Sequence, residues 1–313
     1  MSPEIQKAID LIDVNINTTG MNIINIVLAF VMFGVALGIK PATFVEVFKS
    51  PKSVLLGLVG QWILLPLLTF CLVMVMKDTI SPMIALGMIL VAACPGGNIS
   101  NFMTSLSKGN AELSVSLSAI STIGALIFTP FNFAFWGKLY LEHAKIASSL
   151  PELNIPYWEV VKTVFILLGL PMALGLLCSQ YLPRVAIRLK KPLQYLSILF
   201  FIAMVFMAFG QNLDAFMRCI RYIFVIVLLH NLLALAIGFS MGSFFKVGYK
   251  DRRTLTLELG IQNSGLGLVL LVNPALFGDF PPHGGMLVIV AWWGVWHIIS
   301  GLTVSTIFNH TRR

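Results

Sequence analysis

Apolar residues in this chain come in long runs separated by short polar stretches. Nine runs stand out, over about 21–39, 52–76, 81–106, 111–137, 157–182, 192–211, 220–246, 253–277 and 283–309. A helix that crosses a bilayer needs about 20 apolar residues, so each run is a candidate span. Polar and helix-breaking positions interrupt two of them. The third run contains Cys94-Pro95-Gly96-Gly97-Asn98-Ile99-Ser100-Asn101. The eighth contains Glu258-Leu259-Gly260-Ile261-Gln262-Asn263-Ser264-Gly265. Proline removes a backbone donor and glycine lets the chain unwind. The pattern predicts an all-α polytopic membrane protein with nine transmembrane helices, two of them discontinuous.

Composition strengthens this reading. The chain is 58% hydrophobic and 11% charged over 313 residues, with a mean hydropathy of +0.90. Soluble domains carry about 25% charged residues. The net charge of +8 is spread over short loops rather than gathered on one face, which argues against a nucleic-acid partner. Four cysteines, Cys71, Cys94, Cys178 and Cys219, are scattered without metal spacing and imply no disulfide framework. Residues 1–20 are polar and slightly acidic. They lack the basic start of a signal peptide, so the first run is expected to stay in the mature protein.

Charge then orients the spans. Fourteen of the 21 basic residues fall in one alternate set of connections: Lys40, Lys49, Lys52, Lys108, Arg184, Arg188, Lys190, Lys191, Lys246, Lys250, Arg252, Arg253, Arg312 and Arg313. That set holds only three acids, Glu46, Glu112 and Asp251, whereas the other set has seven basic residues against nine acids. The positive-inside rule makes the basic set cytoplasmic. The expected topology is multi-pass in the cell (inner) membrane, with residues 1–20 outside and a cytoplasmic tail at 310–313.

The two interrupted runs are five span positions apart, an odd number, so copies built around them would run in opposite directions. Polar residues at mid-span extend the likeness. Gln61 precedes the first break and His230-Asn231 the second; Ser114, Ser116, Ser118, Ser121 and Thr122 follow the first, and His297, Ser300 and Thr303 the second. Paired broken segments in corresponding halves are the sequence mark of inverted repeats around a transporter site. Glu258 is the one acid far from any loop. A carboxylate at mid-membrane costs about 2.5–3.5 kcal/mol on insertion scales and marks an ion or substrate site by default. The surrounding Gly, Gln, Asn and Ser supply oxygens suited to a hard cation.

Taken together, Gln61 with Pro66, Pro95 to Asn101, the Lys108-Gly109-Asn110 turn and Glu258 to Ser264 resemble the bile acid:sodium symporter family over nearly the whole chain from residue 21. The resemblance implies a panel domain over 21–51 and 157–219, and a core domain over 52–137 and 220–309 in which the broken helices cross. It implies two Na+ sites. The first would use Ser100, Asn101, Ser114, Ser118 and Glu258; the second Gln61, Glu258, Gln262 and the carbonyls of Leu259 and Ile261. Ser118 stands where Thr is common. The implied function is sodium-coupled uptake of an organic anion, with Asn98, Asn263 and His297 as polar contacts, and no enzymatic activity.

Blander readings stand beside these. Gln61, Asn101 and Gln262 would serve as hydrogen-bonding glue between helices, and Ser114 and Ser118, four apart on one face, as small packing residues. A proton-coupled carrier centred on Glu258 is the nearest rival. A channel is a further one. A serine hydrolase built from Ser264 with His297 or His230 lacks the Gly-x-Ser-x-Gly context.

Overall fold

The computed structural model describes residues 3–11, 18–39, 49–144, 157–210, 213–273, 277 and 283–311, and these form helices without a strand. Of the charges counted above, Asp13, Lys40, Glu46, Lys145, Glu152, Asp279, Arg312 and Arg313 lie outside the described residues. In chain order the helices are α1 (Pro3–Asp10), α2 (Thr18–Ala36), α3 (Pro51–Met76), α4 (Pro82–Ala93), α5 (Ile99–Leu106) and α6 (Ala111–His143). Next comes α7, which runs Tyr157–Val164, passes a π turn at Phe165–Gly169 and continues as Leu170–Tyr181. The remainder are α8 (Pro183–Gly210), α9 (Leu213–Phe244), α10 (Tyr249–Gly260), α11 (Ser264–Leu271) and α12 (Gly284–His310). Among the described residues, five helices are long and apolar enough to cross a membrane on their own. Their outer faces carry exposed large side chains such as Leu55, Ile127 and Leu232, as lipid contact requires.

Each interrupted run is a pair of half-helices: α4 with α5, and α10 with α11. Capping residues in the sequence account for several starts. Ser81 accepts from the Ile84 N–H (3.2 Å) with Pro82 behind it, and Asn110 and Asn263 accept from Leu113 and Leu266 (3.1 Å each). The basic cluster read as a loop, Arg184 to Lys191, is helical and forms the first turns of α8.

α3 carries a π turn at Gly60–Leu64, just before Pro66. Pro66 has no N–H to offer the Trp62 carbonyl, and Asn132 of α6 supplies the missing donor at 3.0 Å. Helices approach closely where side chains are small. A Cβ on Gly238 of α9 would collide with the Leu255 carbonyl of α10. α4 is buried all round, packed on α12, α6 and α3. α1 docks on the ends of these helices, with Ile9 fully buried and Gln6 donating to the Thr79 carbonyl (3.3 Å).

At the centre the two breaks meet. Gly96 and Gln262 pair as an antiparallel bridge. The Gly97 N–H donates to the Ile261 carbonyl (2.7 Å) and the Asn263 N–H to the Pro95 carbonyl (2.8 Å). Cys94 and Ile261, the residues that end α4 and α10, are both extended. Unwound backbone in a membrane must find partners inside the protein, and here each break partners the other.

Candidate functional site

A broken helix leaves carbonyls without their N–H partners. Gln61 donates to the Cys94 carbonyl (2.8 Å) and Thr129 to that of Ala93 (2.7 Å). On the other half, Asn231 donates to the Gly260 carbonyl (2.7 Å) and Gln262 to that of Leu259 (2.7 Å). The side chains around the break thus first satisfy the backbone, and what remains faces the space between the half-helices.

Glu258, three per cent exposed, sits in the last turn of α10. Its Oε2 accepts from Ser100 (2.7 Å) on α5 and Ser114 (2.9 Å) on α6, and its Oε1 accepts a short bond from Ser118, also on α6. Ser100 is the second residue of α5, so the carboxylate also lies at a helix N-terminus, the end that favours negative charge. The Ser100 and Ser118 hydroxyls are 3.3 Å apart, and Asn101 Oδ1 is 3.5 Å from Ser118 Oγ. All five side chains of the first expected set therefore converge on one buried, oxygen-lined point. Gly96 makes room for it, since a Cβ there would stand 2.9 Å from Glu258 Oε1.

The second set forms an amide cluster. Gln61 Nε2 donates to Gln262 Oε1 (2.8 Å), and Gln262 Nε2 donates back to Gln61 Oε1 (3.2 Å). The carbonyl partners Cys94 and Leu259 fix which end of each amide is nitrogen. The π turn on α3 places Gln61 within this cluster. The Ile261 carbonyl is engaged by Gly97, and among the described residues neither glutamine is hydrogen-bonded to Glu258.

Asn98, Asn263 and His297 line one cavity of about 440 Å³ between α2, α8 and the breaks. Asn263 uses its Oδ1 as a cap, which leaves its amide N–H groups for the cavity. Ser197, Gln262 and Ser264 add the remaining polar side chains, and the rest of the lining is apolar, with Leu28, Met32, Phe200 and Val269. A second cavity of about 600 Å³ shares Val31, Asn98, Ile99 and Ser197 with the first. It reaches Asn101, Ser118 and Thr122 on one side, and Gln194 and Lys190 on the other. Among the residues lining the two cavities, Lys190 is the one with a formal charge.

The sodium bile acid symporter family profile matches residues 25–219. A sodium-dependent transporter from Bacillus subtilis, YocS, is 30% identical over 91% of this chain and 83% of its own length. This chain belongs to the sodium bile acid symporter family. Similarity extends to a probable chloroplastic sodium/metabolite cotransporter of rice, BASS2, at 30% identity over 78% of this chain and 55% of that protein. The human P3 protein is 27% identical over 71% of this chain and 45% of its own length. The chain thus spans about half the length of these last two relatives. Membership places it among sodium-coupled, multi-pass membrane transporters rather than enzymes. The hydrolase reading falls with that: His230 bonds Thr69 (2.8 Å), and among the described residues no hydrogen bond joins Ser264 to a histidine.

Sequence reasoning missed Thr129, Asn132 and Thr69, polar groups in apolar runs that look like isolated packing residues. Their only signal was polarity at mid-span. It also counted Asp251 and Arg253 among the connections and gave Thr254, in the eighth run, no role, although Arg253 and Thr254 are buried.

Proposed function

We propose that the chain is a sodium-driven symporter that takes up an organic anion by alternating access, with two sodium ions per anion. Nine spans in the cell (inner) membrane, N-terminus outside, would carry it. The repeats would be α3 to α6 and α9 to α12, forming a core that works against a panel of α2, α7 and α8. One observation carries the reading: a buried carboxylate held by hydroxyls from two other helices, at the point where two broken helices are hydrogen-bonded to each other.

Glu258, with the oxygens of Ser100, Asn101, Ser114 and Ser118, would receive the first ion. Sodium prefers such hard oxygen donors. The Ser hydroxyls turn their hydrogens away and their lone pairs inward when the ion arrives. The second ion would enter the amide cluster, where Gln61 and Gln262 exchange their mutual bonds for oxygen contacts to the cation alongside the Leu259 and Ile261 carbonyls and Glu258. Gln262 adjoins Asn263, and Gly97 adjoins Asn98, so both fillings bear directly on the residues lining the cavity. There Asn98, Asn263, His297 and the N-terminal N–H groups of α5 and α11 would meet the anionic group, and the apolar wall its carbon skeleton. Two sodium ions with one monovalent anion carry one net positive charge inward, which the membrane potential favours by about 2.3 kcal/mol per 100 mV.

The test is a thermal-shift screen of organic anions on the purified protein in NaCl and in KCl at one pH. A ligand that stabilises only in sodium supports symport. Glu258→Gln should abolish that response while the melting temperature in KCl stays within a few degrees. An undiminished sodium response in Glu258→Gln would refute the site, and stabilisation that follows pH rather than sodium would favour the proton-coupled reading.

A further inference from the structure

The first turns of α10 grip four chain segments at once. Asp251 accepts from Ser53 of α3 through Oδ2 (2.6 Å) and from the Asn110 side-chain amide through Oδ1 (2.9 Å). Thr254 Oγ1 accepts from the Asn110 N–H (2.8 Å) and lies 3.2 Å from the Asn110 carbonyl. Arg253 is seven per cent exposed. Its guanidinium donates to the Ser107 carbonyl at the end of α5 (2.8 Å) and to the Thr311 carbonyl beyond α12 (3.0 Å). The rings of Tyr249 and Phe308 lie 5.3 and 5.6 Å from it. Among the described residues this buried cation meets carbonyls and rings rather than a carboxylate.

The turn being gripped is tightly built. Lys108 has φ 56°, and a Cβ on Gly109 would stand 3.0 Å from Thr254 Oγ1. The register matters more. Asn110 touches Thr254; four residues on along both helices, Ser114 touches Glu258. Four residues are one helical turn. The contact at the end of α6 and the contact at the carboxylate are therefore successive rungs between the same two helices. Ser100 is on α5, whose far end Arg253 holds, and Gln61 is on α3, whose first turn Asp251 holds through Ser53. Every helix that brings a side chain to the site is fastened to α10 at this level.

We propose that Asp251, Arg253 and Thr254 are positioning residues for sodium binding. They form a polar clasp that sets the axial register of α10, and so of Glu258, against the helices that supply the other oxygens. This rests on the proposed sodium-coupled function. A slip of the clasp displaces the Glu258 oxygens from the Ser114 and Ser118 hydroxyls and spoils the site without emptying the apolar core.

The experiment uses the full chain in detergent and titrates NaCl against matched KCl, reading the melting temperature. Thr254→Val keeps the side-chain shape and removes the hydroxyl. The half-saturating sodium concentration should rise about fivefold or more while the melting temperature in KCl shifts by no more than a few degrees. Thr254→Ser should restore it, and Asp251→Asn should reproduce the defect. Unchanged half-saturation in Thr254→Val, or a defect that Thr254→Ser shares, overturns the clasp alone. A wild-type protein that NaCl stabilises no more than KCl overturns the transport reading and the clasp with it.

Discussion

Gln61 and Asn231 make the same bond at opposite breaks. Each sits on the helix preceding its broken pair and donates a side-chain amide N–H to a carbonyl where a half-helix gives out: Gln61 to Cys94, just past α4 (2.8 Å), Asn231 to Gly260, the last residue of α10 (2.7 Å). The equivalence supports the repeat read from the spacing of the two breaks.

Their difference is a prediction. Gln61→Leu and Asn231→Leu each leave a buried carbonyl unsatisfied and should each destabilise the protein by about 1–2 kcal/mol. Gln61 also bonds Gln262, whereas among the described residues no hydrogen bond joins Asn231 to either glutamine. Melting curves in NaCl and KCl should show the sodium response weakened in Gln61→Leu and retained in Asn231→Leu.

Gly96 should not tolerate a methyl group. Its Cβ would stand 2.9 Å from Glu258 Oε1 and 3.6 Å from the carboxylate carbon. Gly96→Ala should weaken sodium binding at least about tenfold, which is about 1.4 kcal/mol. Gly248→Ala, a site with open space around it, is the control and should leave sodium titrations unchanged.

Lys190 carries the formal charge at the cavity edge. Lys190→Glu should raise the anion concentration for half-maximal sodium-dependent uptake about two- to fivefold, the size of an exposed charge pair. Half-saturating sodium should stay put. A shift in sodium dependence instead would assign Lys190 to the ion pathway.

Asp10, on the docked α1, bonds Ser81 (2.7 Å). Burial raises its carboxyl from the ordinary 3.8 to about 6, against the opposing pull of that hydrogen bond. A carboxyl raised in the folded state stabilises fully below about pH 4 and loses that contribution as pH climbs through about 6. The melting temperature should therefore fall between pH 4 and 7, and Asp10→Asn should flatten the fall. Parallel pH profiles would exclude Asp10 as the source.

The helices and the two breaks were legible because bilayer length and helix breakers are written locally: Pro95-Gly96-Gly97 announces itself. Glu258 was legible as an expensive charge, and Ser114 and Ser118 as a four-residue pair. That Ser100 reaches Glu258 across the bridge came from the resemblance. The pairing of the breaks themselves was not readable, because Gly97 and Ile261 meet through backbone atoms that no side chain advertises. Nor was the grip of Arg253 on Ser107 and Thr311: a basic residue near a span end reads as a topology signal, and only packing turns it inward.

The π turn in α3 has a consequence for how this chain tolerates change. A π turn is a helix holding one residue more than its regular winding accommodates, and such wide turns persist mostly where they serve a site. Deleting any one residue of 60–64 would let α3 regularise, and on most of its length nothing would be lost. The surplus residue is absorbed within the turn, so the helix on either side would keep its facing while the turn itself closed up. Gln61 lies in that turn, so its bonds to Cys94 and Gln262 are what the closure would disturb. In this stretch a single-residue gap strikes the site and spares the rest of the helix, and length itself, not only the letters, is part of the specification.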